Sequence, residues 1–313
     1  MNIAWSPSGP SGALAVAAAY LIDRLCGEPP ARWHPVVWIG RALSSVGAPW
    51  PQAAPRDQFA RGAVVWLALA VACFTVGVGV DQSIAAIADV APLTLKLIVR
   101  GLLLGAVLKP LLAWRMLREE VCAVEQSLAR GVEAGRDRLR HIVGRDTQEL
   151  SATVVRESAL ESLAENLNDS FVAPLFWFCL GGLPGAALYR FANTADAMWG
   201  LRGRWEWAGK WAARADDVLS YVPARLTALL LAASAARWPR GLSRQARRTA
   251  SPNGGWPMGM LALALDVRLS RPGHYVLHAA GRCAGPHDVK RGLKIAGRAA
   301  WSAVAVAALV QLA

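Results

Sequence analysis

Gly62–Val80 reads GAVVWLALAVACFTVGVGV, nineteen residues without a charge. As a helix it is about 28 Å long, close to the roughly 30 Å hydrocarbon core of a bilayer. Arg61 closes it on one side and Asp81 on the other. Working outward, Ala13–Ile22 is uncharged, Pro92–Trp114 is apolar apart from Lys96, Arg100 and Lys109, and Ala299–Ala313 is an uncharged tail. The 54% hydrophobic content is therefore concentrated in blocks, which favours a membrane protein over one large soluble core. The reading is an all-α, polytopic integral membrane protein forming a single membrane-embedded domain. Full spans are expected near 8–22, 62–80, 92–114 and 296–313. No basic stretch precedes the first, so a cleaved signal peptide is not expected.

The formal net charge of +12 rests largely on arginine. Such a balance suits nucleic acid, but no aromatic-basic interleaving or nucleic-acid motif accompanies it, so no nucleic-acid partner is expected. Anionic lipid of the bilayer or phosphorylated substrates account for it better. Five cysteines, odd in number and widely spaced, argue against a disulfide framework or a zinc site. Gln82–Ala91 has no Lys or Arg and should lie outside the cytoplasm. The flanks, Arg24–Arg61 with five arginines and Arg115–Arg156 with eight, should lie inside.

The second half resists a simple count of spans. Phe171–Tyr189 is uncharged, but basic residues flank it on both sides, including Arg190, Arg202, Arg204, Lys210 and Arg214. Its centre, Gly181-Gly182-Leu183-Pro184-Gly185, breaks helices. A re-entrant helix–break–helix near 171–189 reconciles the two, with a plain span as the alternative. Short apolar segments near 222–236 and 256–267 read as half-inserted or protein-buried helices. The segment 115–169 reads as a cytoplasmic helical stretch interrupted at Gly131 and Gly135, and no strand alternation of useful length is present.

Within it Glu157, Glu161, Glu165 and Asp169 recur every fourth residue, a spacing at which like charges repel. A solvated acidic face is one reading. Carboxylates with Asn166 and Asn168 at a membrane boundary also suit a cation, Mg²⁺ above all. Other clusters are equally polar for their surroundings. Asp23 to Pro29 and His34-Pro35 read as a span-terminating loop with Trp anchors, and Thr147 of Gly144-Arg145-Asp146-Thr147 as a helix cap that leaves Arg145 for an anion. Asp216 and Asp217 precede an apolar helix and need a cation, Arg214 and Arg225 being the structural candidates. Ser251-Pro252-Asn253 is a turn by composition. His274 and His278 fall four apart, as on one helix face, without the glutamate of a metalloprotease motif. Phosphate-loop, dinucleotide-glycine and nucleophile-elbow patterns are absent from the chain.

Taken together and in order, these clusters resemble the adenosylcobinamide-phosphate synthase family, the CobD/CbiB membrane proteins of cobalamin biosynthesis. The likeness runs from Asp23 to about Tyr275. It comprises Gly27-Glu28-Pro29, His34-Pro35-Val36 with Ile39-Gly40, and Val143-Gly144-Arg145-Asp146-Thr147. It continues through Glu161-Ser162, Ala164-Glu165-Asn166 and Asp169, Ala173-Pro174-Leu175-Phe176, and Asn193-Thr194 with Asp196 and Met198. Asp216-Asp217-Val218 with Tyr221 and Pro223-Ala224-Arg225, then Ser251-Pro252-Asn253, complete it. Glu28 and Ser220 stand where the family usually has Asp and Asn. Glu157 lies outside the pattern, so its replacement is expected to be close to neutral.

The resemblance implies ATP-dependent amide synthesis between a propionate carboxyl of adenosylcobyric acid and (R)-1-amino-2-propanol phosphate or a related amino alcohol. A carboxylate is a poor acyl donor, so ATP would activate it as an acyl phosphate. On this reading Glu161, Glu165 and Asp169 hold Mg²⁺, and Arg145 and Arg225 fork onto phosphate oxygens. Thr147, Asn166, Asn193, Asp196 and Asn253 complete substrate binding, and Asp146, Asp216, Asp217 or His34 serves as base. The implied place is the cell inner membrane with the site facing the cytoplasm, homo-oligomerisation being left open. Trp33, Trp38, Trp199, Trp205, Trp207, Trp211 and Trp256 read as a corrinoid pocket lining or as an interfacial belt. A non-catalytic signalling protein similar to AmpE is the alternative, and a corrinoid transporter a third, which would be expected to show paired repeats.

Overall fold

The computed structural model describes residues 9–47, 54–200, 205–238 and 240–313. Arg202 and Arg204, and the first residue of the span expected near 8–22, lie outside the described residues. In chain order the elements begin with α1 (Pro10–Cys26), α2 (Pro35–Gly47), α3 (Pro55–Asp89), α4 (Leu93–Leu108), α5 (Trp114–Leu128), α6 (Val132–Leu139) and α7 (Ala152–Leu167). They continue with α8 (Ala173–Trp199), α9 (Lys210–Leu219), α10 (Tyr221–Ser234), α11 (Leu242–Ala246) and α12 (Gly255–Leu265). The hairpin of β1 (Leu269–Arg271) with β2 (Tyr275–Leu277) and then α13 (Pro286–Leu312) close the chain. Four helical runs, Pro55–Asp89, Leu93–Leu128, Ala152–Trp199 and Pro286–Leu312, are long and apolar enough to cross a membrane. The protein is an all-α polytopic membrane protein. Its hairpin of three-residue strands is too short for alternation to reveal. The turn holds His274, and His278 ends the hairpin at φ 48, so the helical face expected to carry both histidines does not form.

The chain divides into two compact units. The first comprises residues 1–113, 173–220 and 304–313. Here α4 lies close against α1 because Gly101 and Gly105 carry no side chain. A Cβ on Gly105 would stand 2.7 Å from Ala18 Cβ and 2.8 Å from the Ala15 carbonyl. Small residues four apart permit this approach where lipid offers no hydrophobic drive for association. The charges beyond the apolar run of α3 are met by α4: Arg100 pairs with buried Asp81 at 3.6 Å and Lys96 with Asp89 at 2.5 Å. Those partners explain why the helix runs on well past Val80. The break foreseen in α8 sits at Gly181 and Gly182, whose backbone leaves helical geometry (φ 62 at Gly182). Trp66, Phe191, Trp199 and Leu43 form the core of this unit.

The second unit comprises residues 114–172 and 221–303. Helix α7 lies within it, capped by Ser151, whose hydroxyl accepts from the Val154 amide. Glu125 of α5 pairs with Arg156 at 2.8 Å, and Gly292 of α13 admits Leu160 of α7. Past Leu167 the helix widens into a π turn, Asn168–Val172. Of the two interrupting glycines, only Gly131 (φ 149) lies between helices, at the N-cap of α6; Gly135 lies inside α6, under the Leu128 side chain.

Candidate functional site

In the second unit the acidic row is only partly solvated, its first two carboxylates being withdrawn from solvent. Glu157 is fully buried, paired with Arg268 at 3.5 Å and hydrogen-bonded by Ser270. One turn on, Glu161 is buried too, with Arg145 donating to its Oε2 at 3.0 Å and to Ser158 Oγ at 2.6 Å. Its Oε1 is buried without a hydrogen-bond partner. Arg145 thus sits in an ion pair with the first nominated carboxylate of the cluster. Glu165 is solvent-accessible, and the loop backbone presses on it: a Cβ on Gly254 would stand 3.1 Å from its Oε1. Arg271 of β1 and Arg145 supply positive potential at Glu165, and Asp169 adds negative potential. Burial and the charges of Glu161 and Glu165 push the Tyr275 phenol well above its ordinary range, so it stays a hydrogen-bond donor.

The π turn organises the far end of this row. Asn168, buried, donates to Asp169 Oδ1 at 2.8 Å and accepts from Thr227 of α10 at 2.9 Å. Wide turns of this kind recur at functional sites. Asn166 instead bonds back to Ser162 of its own helix. Arg225 donates to Asn253 Oδ1 at 3.0 Å and to the Tyr221 carbonyl at 2.6 Å. Its guanidinium lies 3.4 Å over the Tyr221 ring and 4.8 Å from that of Trp256. Thr147 is not a cap: it is buried, and its hydroxyl donates to the Arg136 carbonyl. Asp146 is exposed and accepts from the Gln148 amide.

The first unit holds the remaining nominated residues. Lys109, nearly inaccessible, pairs with Glu28 at 2.9 Å and Asp23 at 3.4 Å, and His34 Nε2 meets the same Glu28 oxygen at 3.1 Å. Burial raises the Glu28 carboxyl, but hydrogen bonds from His34 and Lys109 outweigh it and hold the group below its usual range. Asn193 donates to Asp216 Oδ1 and accepts from Arg190, and Tyr189 meets Ser220 Oγ at 3.0 Å. Asp196 sits against Gly200, where any Cβ would strike its carboxylate; Asp217 lies on α9 beside Asp216. The tryptophans divide. Trp199 is core, stacked on Trp205; Trp211 meets Trp66 edge-on; Trp33 and Trp38 are exposed.

The second unit therefore brings together Arg145, Glu161, Glu165, Asp169, Arg225 and Asn253 and adds Ser158, Asn168, Arg271 and Tyr275. The sequence reading missed Lys109, although a lysine inside an apolar run is itself a signal. Among the described residues no three His, Cys, Asp or Glu side chains gather closely enough to enclose a metal ion. Mg²⁺ held with phosphates needs only one or two carboxylates. The unpartnered oxygen of Glu161 and the accessible Glu165 fit that mode.

Helices that place carboxylates and fixed cations together inside apolar surroundings define a membrane protein built around polar chemistry. The family model described as "CobD/Cbib protein" matches residues 16–296, and the chain belongs to this family of cobalamin biosynthesis proteins. It is 40% identical over 267 residues to the probable cobalamin biosynthesis protein CobD of Methanothermobacter thermautotrophicus, covering 83% of this chain and 84% of that protein. It is 35% identical over 314 residues to the cobalamin biosynthesis protein CobD of Brucella anthropi, covering 90% and 91%. With that of Chromobacterium violaceum the figures are 37% over 320 residues, 96% and 97%. No solved structure matches.

Proposed function

We propose that the protein is an adenosylcobinamide-phosphate synthase, an ATP-dependent ligase of the inner membrane with its site facing the cytoplasm. It joins a propionate carboxyl of adenosylcobyric acid to the amine of (R)-1-amino-2-propanol phosphate or a closely related amino alcohol. The observation that carries the reading is the company of Glu161, Glu165 and Asp169 with Arg145, Arg225 and Arg271 within one compact unit. Phosphoryl activation of a carboxylate gathers negative charge that fixed guanidiniums stabilise.

Glu161 and Glu165 would hold Mg²⁺, with Asp169 set beside them by Asn168; the ion, once bound, neutralises phosphate charge. Arg225, clamped between two rings and anchored to Asn253, offers a pre-organised phosphate contact. Tyr275, kept protonated, stands beside the carboxylate cluster as an available donor. The attacking ammonium must lose a proton, and Asp146, exposed in the same unit, is the nominated carboxylate within reach of that chemistry.

The test is purified protein incubated with adenosylcobyric acid, aminopropanol phosphate, ATP and Mg²⁺, read by mass spectrometry. The expected product carries the mass of the amide, formed only when ATP is present. Product formation without ATP, or none under any condition with folded protein, overturns the reading; the second result would fit a non-catalytic signalling relative.

A further inference from the structure

The same unit holds a cavity whose only residue used by the roles above is Arg225. It measures about 450 Å³ and is bounded by Arg225 and Leu229 of α10, Trp238 and Arg240 of the following connection, Leu242 of α11 and Trp256 of α12. That volume is in the range of small-molecule sites. Its lining combines two guanidiniums and two indoles over an aliphatic floor. Trp238 is 75% exposed, so its ring is available rather than spent on the core. Such a set suits a ligand with a flat π-system at one end and several negative charges at the other.

We propose that this cavity is the subsite for the purine ring and proximal phosphates of a nucleoside triphosphate, an inference that rests on the ATP-dependent reading and gives it a location. The direction of the bound nucleotide follows from the loop beneath it. Asn253 is the anchor of Arg225, and the next residue, Gly254, lies against the Glu165 carboxylate. Adjacent residues of one loop therefore face the guanidinium and the acidic row. A purine on Trp238 or Trp256 places the phosphate chain across Arg225 and Arg240, its end directed at Glu165. An adenosyl group on the corrinoid shares the purine but lacks the phosphate chain, which is what the two arginines address.

The experiment measures equilibrium binding of ATP, adenosine and inorganic tripolyphosphate to the full-length protein in micelles, with Mg²⁺ and without corrinoid, so that no turnover intervenes. Trp238→Ala should weaken ATP about tenfold, the scale of one lost base–aromatic stack, and leave tripolyphosphate unchanged. Arg240→Gln should weaken both about tenfold. Thermal melting checks that each variant is folded. ATP binding equal to wild type in both variants overturns the subsite while leaving the synthase reading standing. Adenosine bound as tightly as ATP, and sensitive to Trp238 alone, assigns the pocket to an adenosyl group and also overturns the proposal. A wild type that binds no ATP overturns the subsite too, and the amide assay then decides whether the synthase reading falls with it.

Discussion

Helices α3 and α7 carry opposite solutions. Along α3, Val64, Leu67, Val71 and Val76 point outward and are largely exposed, while Asp81 is hidden and paired. Along α7, Glu157, Ser158, Glu161 and Ser162 are buried, each held by a named partner. The difference teaches where free energy is at risk in this molecule. Lipid tails are as apolar as leucine, so an outward valine gives up little by facing them. A buried carboxylate is tolerable only while its partner remains.

The sharpest way to break that contrast lies in the first unit, at a charge the apolar run of α4 leads into. Lys109→Met would remove the ammonium that meets fully buried Asp23 and half-buried Glu28. A loss of roughly 3–5 kcal/mol is expected, seen as a large fall in denaturation midpoint in micelles. Adding Glu28→Gln should recover part of it, because one of the stranded charges is then gone. An unchanged midpoint in the single variant would mean the cluster is hydrated and the pairing incidental.

Within α7 the contrast can be divided residue by residue. Glu165→Gln should lower turnover on the order of a hundredfold or more, with the melting temperature unchanged, since this carboxylate is accessible. Glu157→Gln should do the reverse. The sequence reading expected it to be close to neutral, but its charge-assisted bonds to Arg268 and Ser270 are worth roughly 1.5–3 kcal/mol, so the midpoint should fall while kcat persists. Equal loss of turnover in both would return the whole row to a structural role. Arg225→Lys is expected to be milder. It keeps the charge but loses the stacked fork, raising KM for ATP about tenfold and leaving KM for aminopropanol phosphate unaltered.

How much of this was legible follows from what each signal needs. The apolar block at 62–80 announced a spanning helix because length and lack of charge suffice. It could not announce the extension to Asp89, which depends on Arg100 and Lys96 from a neighbouring helix. The period of the acids was visible, yet the burial of Glu157 and Glu161 was not, because their partners Arg268, Ser270 and Arg145 arrive from other segments of the chain. Thr147 was misread as a cap since Ser151, four residues later, satisfies the helix start. The histidines at 274 and 278 misled because a spacing of four is helical only if the backbone is, and Gly273 at φ 75 turns it into a hairpin.

The smallest expected effect tests the outward half of the contrast. Val76 is 65% exposed on α3. In water its truncation would remove apolar surface from nothing in particular, and in a bilayer lipid chains close over the gap. Val76→Ala should therefore change stability by no more than about 0.5 kcal/mol, measured by reversible unfolding in micelles. Leu160→Ala on α7, fully buried, should by contrast cost roughly 2–5 kcal/mol. A cost above about 1 kcal/mol at Val76, set against the 0.5 kcal/mol limit for surface changes, would mean that protein covers this face. A second copy of the chain is then the natural partner, and the loss should diminish as the protein is diluted.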